Sequence, residues 1–347
     1  MPTPHPSTPS AGERAAAAAG SVRHLFSRRS LGVPGTQLGA ISFPRPTGPS
    51  AHWHYWWQAH FLDCLLDEHL RDPQGDALPE ARRLVRGIRL RNGGRWQNAY
   101  YDDMAWLALA LQRLDAMDGR RRPRRRVRVL RDALRSAHTQ DLGGGIYWNT
   151  ARDYKNTPST APAALFFART GDTSRAQELL DWLRAHLYDP ATGLYLDGVK
   201  TDGTVERSLH TYNQGTVLGA LLATGGSTNL GYAAALVDAV SRNLADDDGV
   251  LPLSADGDAG LFTGILARYL ALVTPGIAPE AAATAGVLVR ATAERLWANR
   301  SAANPAADPA VLVFPPHRGA PVSLSSQIQA WMVLEAEASY RHLSIRC

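Results

Sequence analysis

Cysteine is nearly absent from this chain. Cys64 and Cys347 are the only two in 347 residues, too few and too far apart for a disulfide framework. Such usage is compatible with a reducing compartment. Cys64 falls in an apolar helical pattern and is expected as a small core residue, and Cys347, the last residue, on the surface. Long hydrophobic runs are absent too. Nothing approaches the roughly 18 apolar residues of a transmembrane helix, so no membrane partner is expected. The alanine run Ala15–Ala19 is five residues long and flanked by Glu13, Arg14 and Arg23. It is shorter than the apolar stretch of about 7–15 residues in a signal peptide, and the expected location is cytoplasmic.

Motifs of common chemistries are equally sparse. There is no GxSxG, CxxC or HExxH, and neither cysteine has a His–Asn arrangement nearby. The triplet Gly143–Gly145 lacks the Gly-Lys-Ser/Thr of a phosphate loop and leads into an extended run. No cofactor and no metal set is implied. The net charge of +5 owes much to RRRPRRRVR, Arg120–Arg128. A basic run can bind nucleic acid or an anionic surface. Without interleaved aromatics it is read as a solvated loop entering a helix, and no nucleic-acid partner is expected.

Helical patterning is what the chain has in plenty. Its 45% hydrophobic content supports a core without staples. Apolar periodicity predicts helices at about 11–28, 53–70, 78–91, 100–117, 124–138, 157–170, 173–187, 212–223, 227–245, 259–273, 280–299 and 324–343. The first ten residues, rich in Pro, Ser and Thr, are expected to be disordered. Residues 11–347 then form one domain, since no linker interrupts them. The irregular stretch 298–323 carries one expected strand, Val311 to Phe314. DLGGGIYWN, DPATGLYLDG and DDDGVLPLS, spaced by roughly 50 residues, each supply a turn and a short extended run. Twelve helices make six hairpins, which can close into an all-α (α/α)6 toroid with the more apolar and aromatic helices inside. A monomer is expected.

Asp102 and Asp103 stand together in YYDDMAW. Tyr100, Tyr101, Met104, Trp106, Leu107, Leu109 and Leu111 around them read as core. Two carboxylates there cost free energy unless they are hydrogen-bonded or put to use. Adjacent helical side chains diverge by about 100°, so the pair can flank a bound bond. Retaining glycosidases hold their carboxyls about 5–5.5 Å apart and inverting ones about 6.5–9.5 Å; adjacent residues fit the shorter span more easily. One carboxyl would be the ionised nucleophile and the other a protonated acid/base, their like charges splitting the two pKa values. A helix cap, a metal site or a solvated pair are the other readings.

Three further segments set polar groups among aromatics. WHYWWQAH offers Trp57 for stacking on a sugar ring and His60 for a hydroxyl; core histidines or metal ligands are the alternatives. GGGIYWNTARDYKN offers glycines that let the backbone approach a ligand, Tyr147 and Trp148 as a platform, and Lys155 and Asn156 as donors. A hairpin turn with packed aromatics explains it as well. YNQG opens an apolar helix, with Asn213 as a cap and Gln214 as a hydroxyl ligand. Trp96 and Asn98, just before the carboxylates, fit the same cleft.

Together these residues resemble glycoside hydrolase family 76, the endo-α-1,6-mannanases. WHYWWQAH, RWQNAYYDDMAW, GGGIYWN…YKN, YNQG and GLFTGILARYL are similar to family segments, in the family's order, over roughly residues 50 to 340. The resemblance implies an (α/α)6 barrel and retaining hydrolysis of α-1,6-linked mannose chains. It also implies that Asp102 is the nucleophile and Asp103 the acid/base, an order the residues alone do not give. The substrate cleft it implies is lined by Trp57, His60, Trp96, Tyr101, Trp148, Lys155, Asn156, Asn213 and Gln214, with an α-mannan-like oligosaccharide or polysaccharide as partner. Many relatives are exported or lipid-anchored, whereas no export signal is read here. Transglycosylation, a non-catalytic glycan-binding toroid, and another (α/α)6 enzyme leaning on His60, His138 or His210 stay open.

Overall fold

The computed structural model describes residues 9–44, 53–119, 124–254, 257–274, 276–304, 308–315 and 322–345. Twelve α-helices dominate these residues: α1 (Ala11–Phe26), α2 (Tyr55–Arg71), α3 (Ala77–Arg91), α4 (Tyr101–Met117), α5 (Arg125–Ala137), α6 (Thr157–Arg169), α7 (Thr173–His186), α8 (Thr211–Thr224), α9 (Ser227–Leu244), α10 (Ala259–Leu270), α11 (Pro279–Asn299) and α12 (Leu324–Ile345). Each falls within three residues of its sequence-predicted bounds at either end. The expected strand lies at Asp308–Val313 and pairs antiparallel with Ser301–Asn304. None of the helices is long and apolar enough to cross a membrane among the described residues.

The even-numbered helices form the inner ring. Contacts run α2–α4–α6–α8–α10–α12 and return from α12 to α2, so the toroid closes. The odd-numbered helices pack outside them. Burial follows this division. On α5 only Val127, Leu130, Ala133, Leu134 and Ala137 are buried, an apolar stripe with arginines opposite. On α8 a run from Asn213 to Leu221 is buried on every side, as an inner helix requires. Small residues set the ring's tightness: a Cβ on Gly215 would stand 2.7 Å from Leu266 Cα, and one on Gly264 2.9 Å from Gln329 Cα.

Several expectations resolve locally. Residues 1–8 lie outside the described residues, but Ser10 is ordered as the N-cap of α1, in a reciprocal capping box with Glu13. Arg120–Pro123 also lie outside them, as does Cys347. The rest of the basic run is not simply solvated: Arg126 pairs with Asp115 at 2.6 Å and Arg124 with Asp118 at 2.9 Å, both acids at the end of α4. Cys64 is a buried core residue. Of the three extended runs, those at 146–156 and 194–200 enter β-pairing, while 250–253 does not. There Leu251 N–H is held by Thr292 Oγ1 at 3.1 Å instead.

Candidate active site

The inner helices begin at a common rim, and the site is built from their first turns. Tyr100, extended, bridges to Asn149; Tyr101 N–H donates to Trp148 O at 2.7 Å and Thr150 N–H to Ala99 O at 2.9 Å. Trp148 N–H in turn donates to Tyr154 O at 2.8 Å, and Tyr154–Asn156 pairs with Gly198–Lys200. This backbone ladder ties the start of α4 to the start of α6. It brings the Trp148 indole to Asp102, where Nε1–H donates to Oδ2 at 3.1 Å. Asp103 is held on its other side by the Asn98 amide, which donates to Oδ2 while Asn98 Oδ1 accepts from Tyr100 N–H at 3.0 Å.

Two recesses meet at these carboxylates. The smaller, about 210 Å³, is lined by Trp56, Asp102, Trp106, Trp148, Tyr154, Asn156, Asp197, Tyr212, Asp258 and Phe262. The larger, about 560 Å³, is lined by Trp53, His54, Tyr55, Trp56, Asn92, Asn98, Ala99, Tyr100, Asp102, Asp103, Trp148 and Asp258. Asp102 faces both and Asp103 only the larger one. Trp56, Trp106, Tyr212 and Phe262 make an aromatic wall, with Tyr212 and Phe262 stacked at 4.0 Å. Among the described residues four carboxylates line the two recesses together, and no arginine or lysine does.

Burial dominates the electrostatics of the pair. It pushes Asp102 up to about 7, against the opposing pull of the Asp103 and Asp102 backbone amides and the Trp148 indole. Asp102 Oδ1 is buried and has no hydrogen-bond partner among the described residues. Asp103 lies well above the ordinary carboxylate range, through burial first and then the charge of Asp102, with the Asn98 hydrogen bond pulling the other way. The two neighbours therefore have different environments: both are raised by burial, but Asp102 accepts from the Trp148 indole and Asp103 from the Asn98 amide.

The other sequence-selected residues divide. Trp148 and Asn156 line the smaller recess, Asn156 also capping α6 through Ser159 N–H at 3.1 Å. Trp57 is buried behind its neighbour Trp56, and its indole donates to Asp258 at 2.8 Å. His60 is buried beneath the wall, 4.8 Å from the Trp106 ring, and burial with Arg268 nearby lowers its pKa and keeps it neutral. Trp96 contributes its carbonyl as acceptor for the Tyr55 hydroxyl, its ring lying under Arg89. Tyr101 is core. Asn213 is buried and reaches the smaller recess through Asp197, which accepts from its Nδ2 at 3.1 Å. His138 bonds Arg175, and neither it, His60 nor His210 lines a recess.

Two polar residues expected at the substrate serve the scaffold instead. Gln214 spans Tyr195 through both its N–H and its carbonyl, at 2.8 Å each. Lys155 is fully buried, and its Nζ donates to Thr139 O, Thr139 Oγ1, Asp141 O and Gly144 O at 2.5–3.1 Å. Burial pulls its pKa down to about 8. The glycine triplet likewise bends toward the fold rather than a ligand. Gly143, Gly144 and Gly145 have φ of +76°, +131° and +75°, and a Cβ on Gly145 would meet the Trp182 ring at 2.6 Å. Tyr147 is buried, with Lys155 Nζ 4.6 Å from its ring centre. Lys155→Met leaves several carbonyls without a donor; urea unfolding should show a loss of about 2 kcal/mol or more.

Sequence reasoning missed Trp56, Trp106, Tyr154, Asp197, Tyr212, Asp258 and Phe262.

A closed double ring of helices, with paired carboxylates at the rim of an aromatic cleft, defines a glycoside hydrolase of the six-hairpin class. The chain belongs to glycosyl hydrolase family 76, whose profile matches residues 10–339. No curated sequence matches it. Among solved structures, it is similar to the GH76A α-1,6-mannanase of Salegentibacter sp. HEL1_6, at 27% identity and a TM-score of 0.84 over 95% of this chain and 100% of that one. Two inactive variants of that mannanase, each substituted at two consecutive aspartates, were solved with α-1,6-mannotriose and α-1,6-mannotetrose. The Lin0763 protein of Listeria innocua is 25% identical, with a TM-score of 0.82 over 98% and 99% of the two chains.

Proposed function

We propose that this chain cleaves α-1,6-linked mannose chains with retention of configuration, Asp102 being the nucleophile and Asp103 the acid/base. The observation that carries this reading is the unequal environment of the two neighbouring carboxylates. On this reading Asp102, held by the Trp148 indole where the two recesses meet, is the ionised group, and Asp103, held by Asn98 and facing only the larger recess, keeps its proton for the leaving group. The consecutive aspartates whose joint substitution inactivates the similar mannanase, and its bound mannosides, support the pair as the catalytic residues and a mannoside as substrate.

In the first step Asp102 attacks the anomeric carbon while Asp103 gives its proton to the departing glycosidic oxygen. In the second, Asp103 takes a proton from water, which displaces Asp102. A nucleophile meets the sugar and an acid meets the leaving group. Asp102 faces both recesses and Asp103 only the larger, so the smaller recess holds the glycone and the larger one the leaving chain. Among the described residues no arginine or lysine lines either recess, which favours neutral sugars over uronic acids or phosphorylated glycans, whose charge the cleft carboxylates would repel.

A glycan-panel digest with product sizing tests the substrate. Short oligosaccharides from α-1,6-mannan are expected, and inactivity on every α-mannoside would sink the reading. The pH profile follows from the signs above. Here kcat/KM rises as pH climbs toward about 7, where Asp102 ionises, and falls again where Asp103 loses its proton. Since the Asn98 amide favours ionised Asp103, Asn98→Ala should move the alkaline limb to higher pH. An unmoved limb contradicts that.

A further inference from the structure

Among the described residues, Asp258 is the one carboxylate besides Asp102 that lines both recesses. It immediately precedes α10, and two consecutive residues at the start of α2 hold it: Trp56 and Trp57 Nε1–H both donate to Oδ1, at 3.0 and 2.8 Å. The His54 ring stacks on Trp57 at 4.1 Å, with its Nδ1 4.0 Å from the same oxygen. Asp258 Oδ2 has no partner among the described residues, and the side chain, 57% exposed, lines the cleft.

We propose that Asp258 is a sugar-binding residue, its Oδ2 accepting a hydroxyl hydrogen bond from the sugar that lies across Asp102. This rests on the glycan-cleaving reading above. The geometry suits the task. Trp56 presents its ring to the aromatic wall of the smaller recess while its N–H fixes Asp258, so stacking and hydroxyl binding are built by one side chain. Asp102, whose Oδ2 accepts from the Trp148 indole, lines the same recess, so a sugar over it lies within reach of Asp258. Asp258 also acts through space. Among the described residues the titratable groups around it are His54, Asp102, Asp103, Asp197, Tyr55, Tyr100, Tyr154 and Tyr212, none of them a fixed cation. Its charge favours the protonated forms of both Asp102 and Asp103.

Asp258→Asn separates this role from anchoring. The amide oxygen still accepts both indoles, while the free position turns from acceptor to donor. Expected are a fall in kcat/KM on α-1,6-mannotetraose of about 10- to 100-fold, the loss of one charged hydrogen bond, and a shift of both limbs of the pH profile to lower pH. Weaker calorimetric binding of the same sugar in an Asp102→Asn background should accompany them. Equal kcat/KM, binding and limbs in a cleaving enzyme would overturn the role of Asp258 alone. A wild type that neither binds nor cleaves any α-mannoside overturns the mannan reading. In that case the pH dependence of Tm still tests the charge. The fall in stability as Asp102 and Asp103 ionise should move to lower pH in Asp258→Asn, and an unmoved fall overturns the through-space part as well.

Discussion

Asp103→Ala and Asp102→Ala should both abolish mannan cleavage, yet fail in different ways. Without Asp103 no proton reaches the departing sugar oxygen, and turnover of α-1,6-mannan falls by about 10²–10⁴-fold, the scale of a lost general acid. An activated aryl α-mannoside, whose leaving group departs without a proton, should still load Asp102. The glycosyl-enzyme then waits for a nucleophile that needs no base. Azide supplies one, so the rate recovers and α-mannosyl azide forms with net retention. Without Asp102 there is no covalent intermediate to trap. Any azide product arises by a single displacement and carries the β configuration. Product NMR distinguishes the two outcomes. If the α-azide formed in the Asp102 variant and not in the Asp103 variant, the assigned roles would be reversed.

The largest stability effect is expected away from the cleft. Below the aromatic floor, Asp63 and Asp67 of α2 meet Arg113 of α4 and Arg268 of α10. Arg113 lies 2.7 Å from Asp63 and 2.5 Å from Asp67, and Arg268 2.8 Å from Asp67 and 3.5 Å from Asp63. Burial alone would raise the Asp63 pKa, but Arg113, Arg268 and Arg169 overcome it and hold the carboxyl below its ordinary value. Arg268→Met removes one arm and leaves buried negative charge under-compensated, at about 3–5 kcal/mol. The pH signature has a definite sign. A depressed carboxyl stabilises the fold above its unfolded pKa, and that stability is lost as pH falls through the folded value. With Arg268 gone the Asp63 pKa rises, so the acid-unfolding midpoint should move to higher pH. Urea and acid titrations of the variant check both; a change within 0.5 kcal/mol, the range of an ordinary surface substitution, would contradict the account.

The helices were legible because each must bury an apolar face, and that requirement writes a period into the sequence. Asp102 and Asp103 were legible for the complementary reason, as charge where the pattern asked for core. Ring closure was less so, for it depends on α12 meeting α2 across the whole length of the chain. Asp258 and Asp197 stood in short loops with nothing to mark them. Trp56 and Asp258 are 202 positions apart and become neighbours only when the ring closes. Lys155 and Gln214 show the opposite difficulty. A polar side chain among glycines and aromatics looks the same in sequence whether it binds a hydroxyl or satisfies buried carbonyls. Only the acceptors around Lys155 Nζ separate the two uses. The glycine triplet does make a close approach, but to Trp182 and not to a ligand.

The most direct test of the account is the anomer released first. Proton NMR during cleavage of an α-1,6-mannooligosaccharide, read before mutarotation, should show the α-anomer of the new reducing end appearing first and the β-anomer only later. First appearance of the β-anomer would mean a single displacement, and would contradict a covalent role for Asp102.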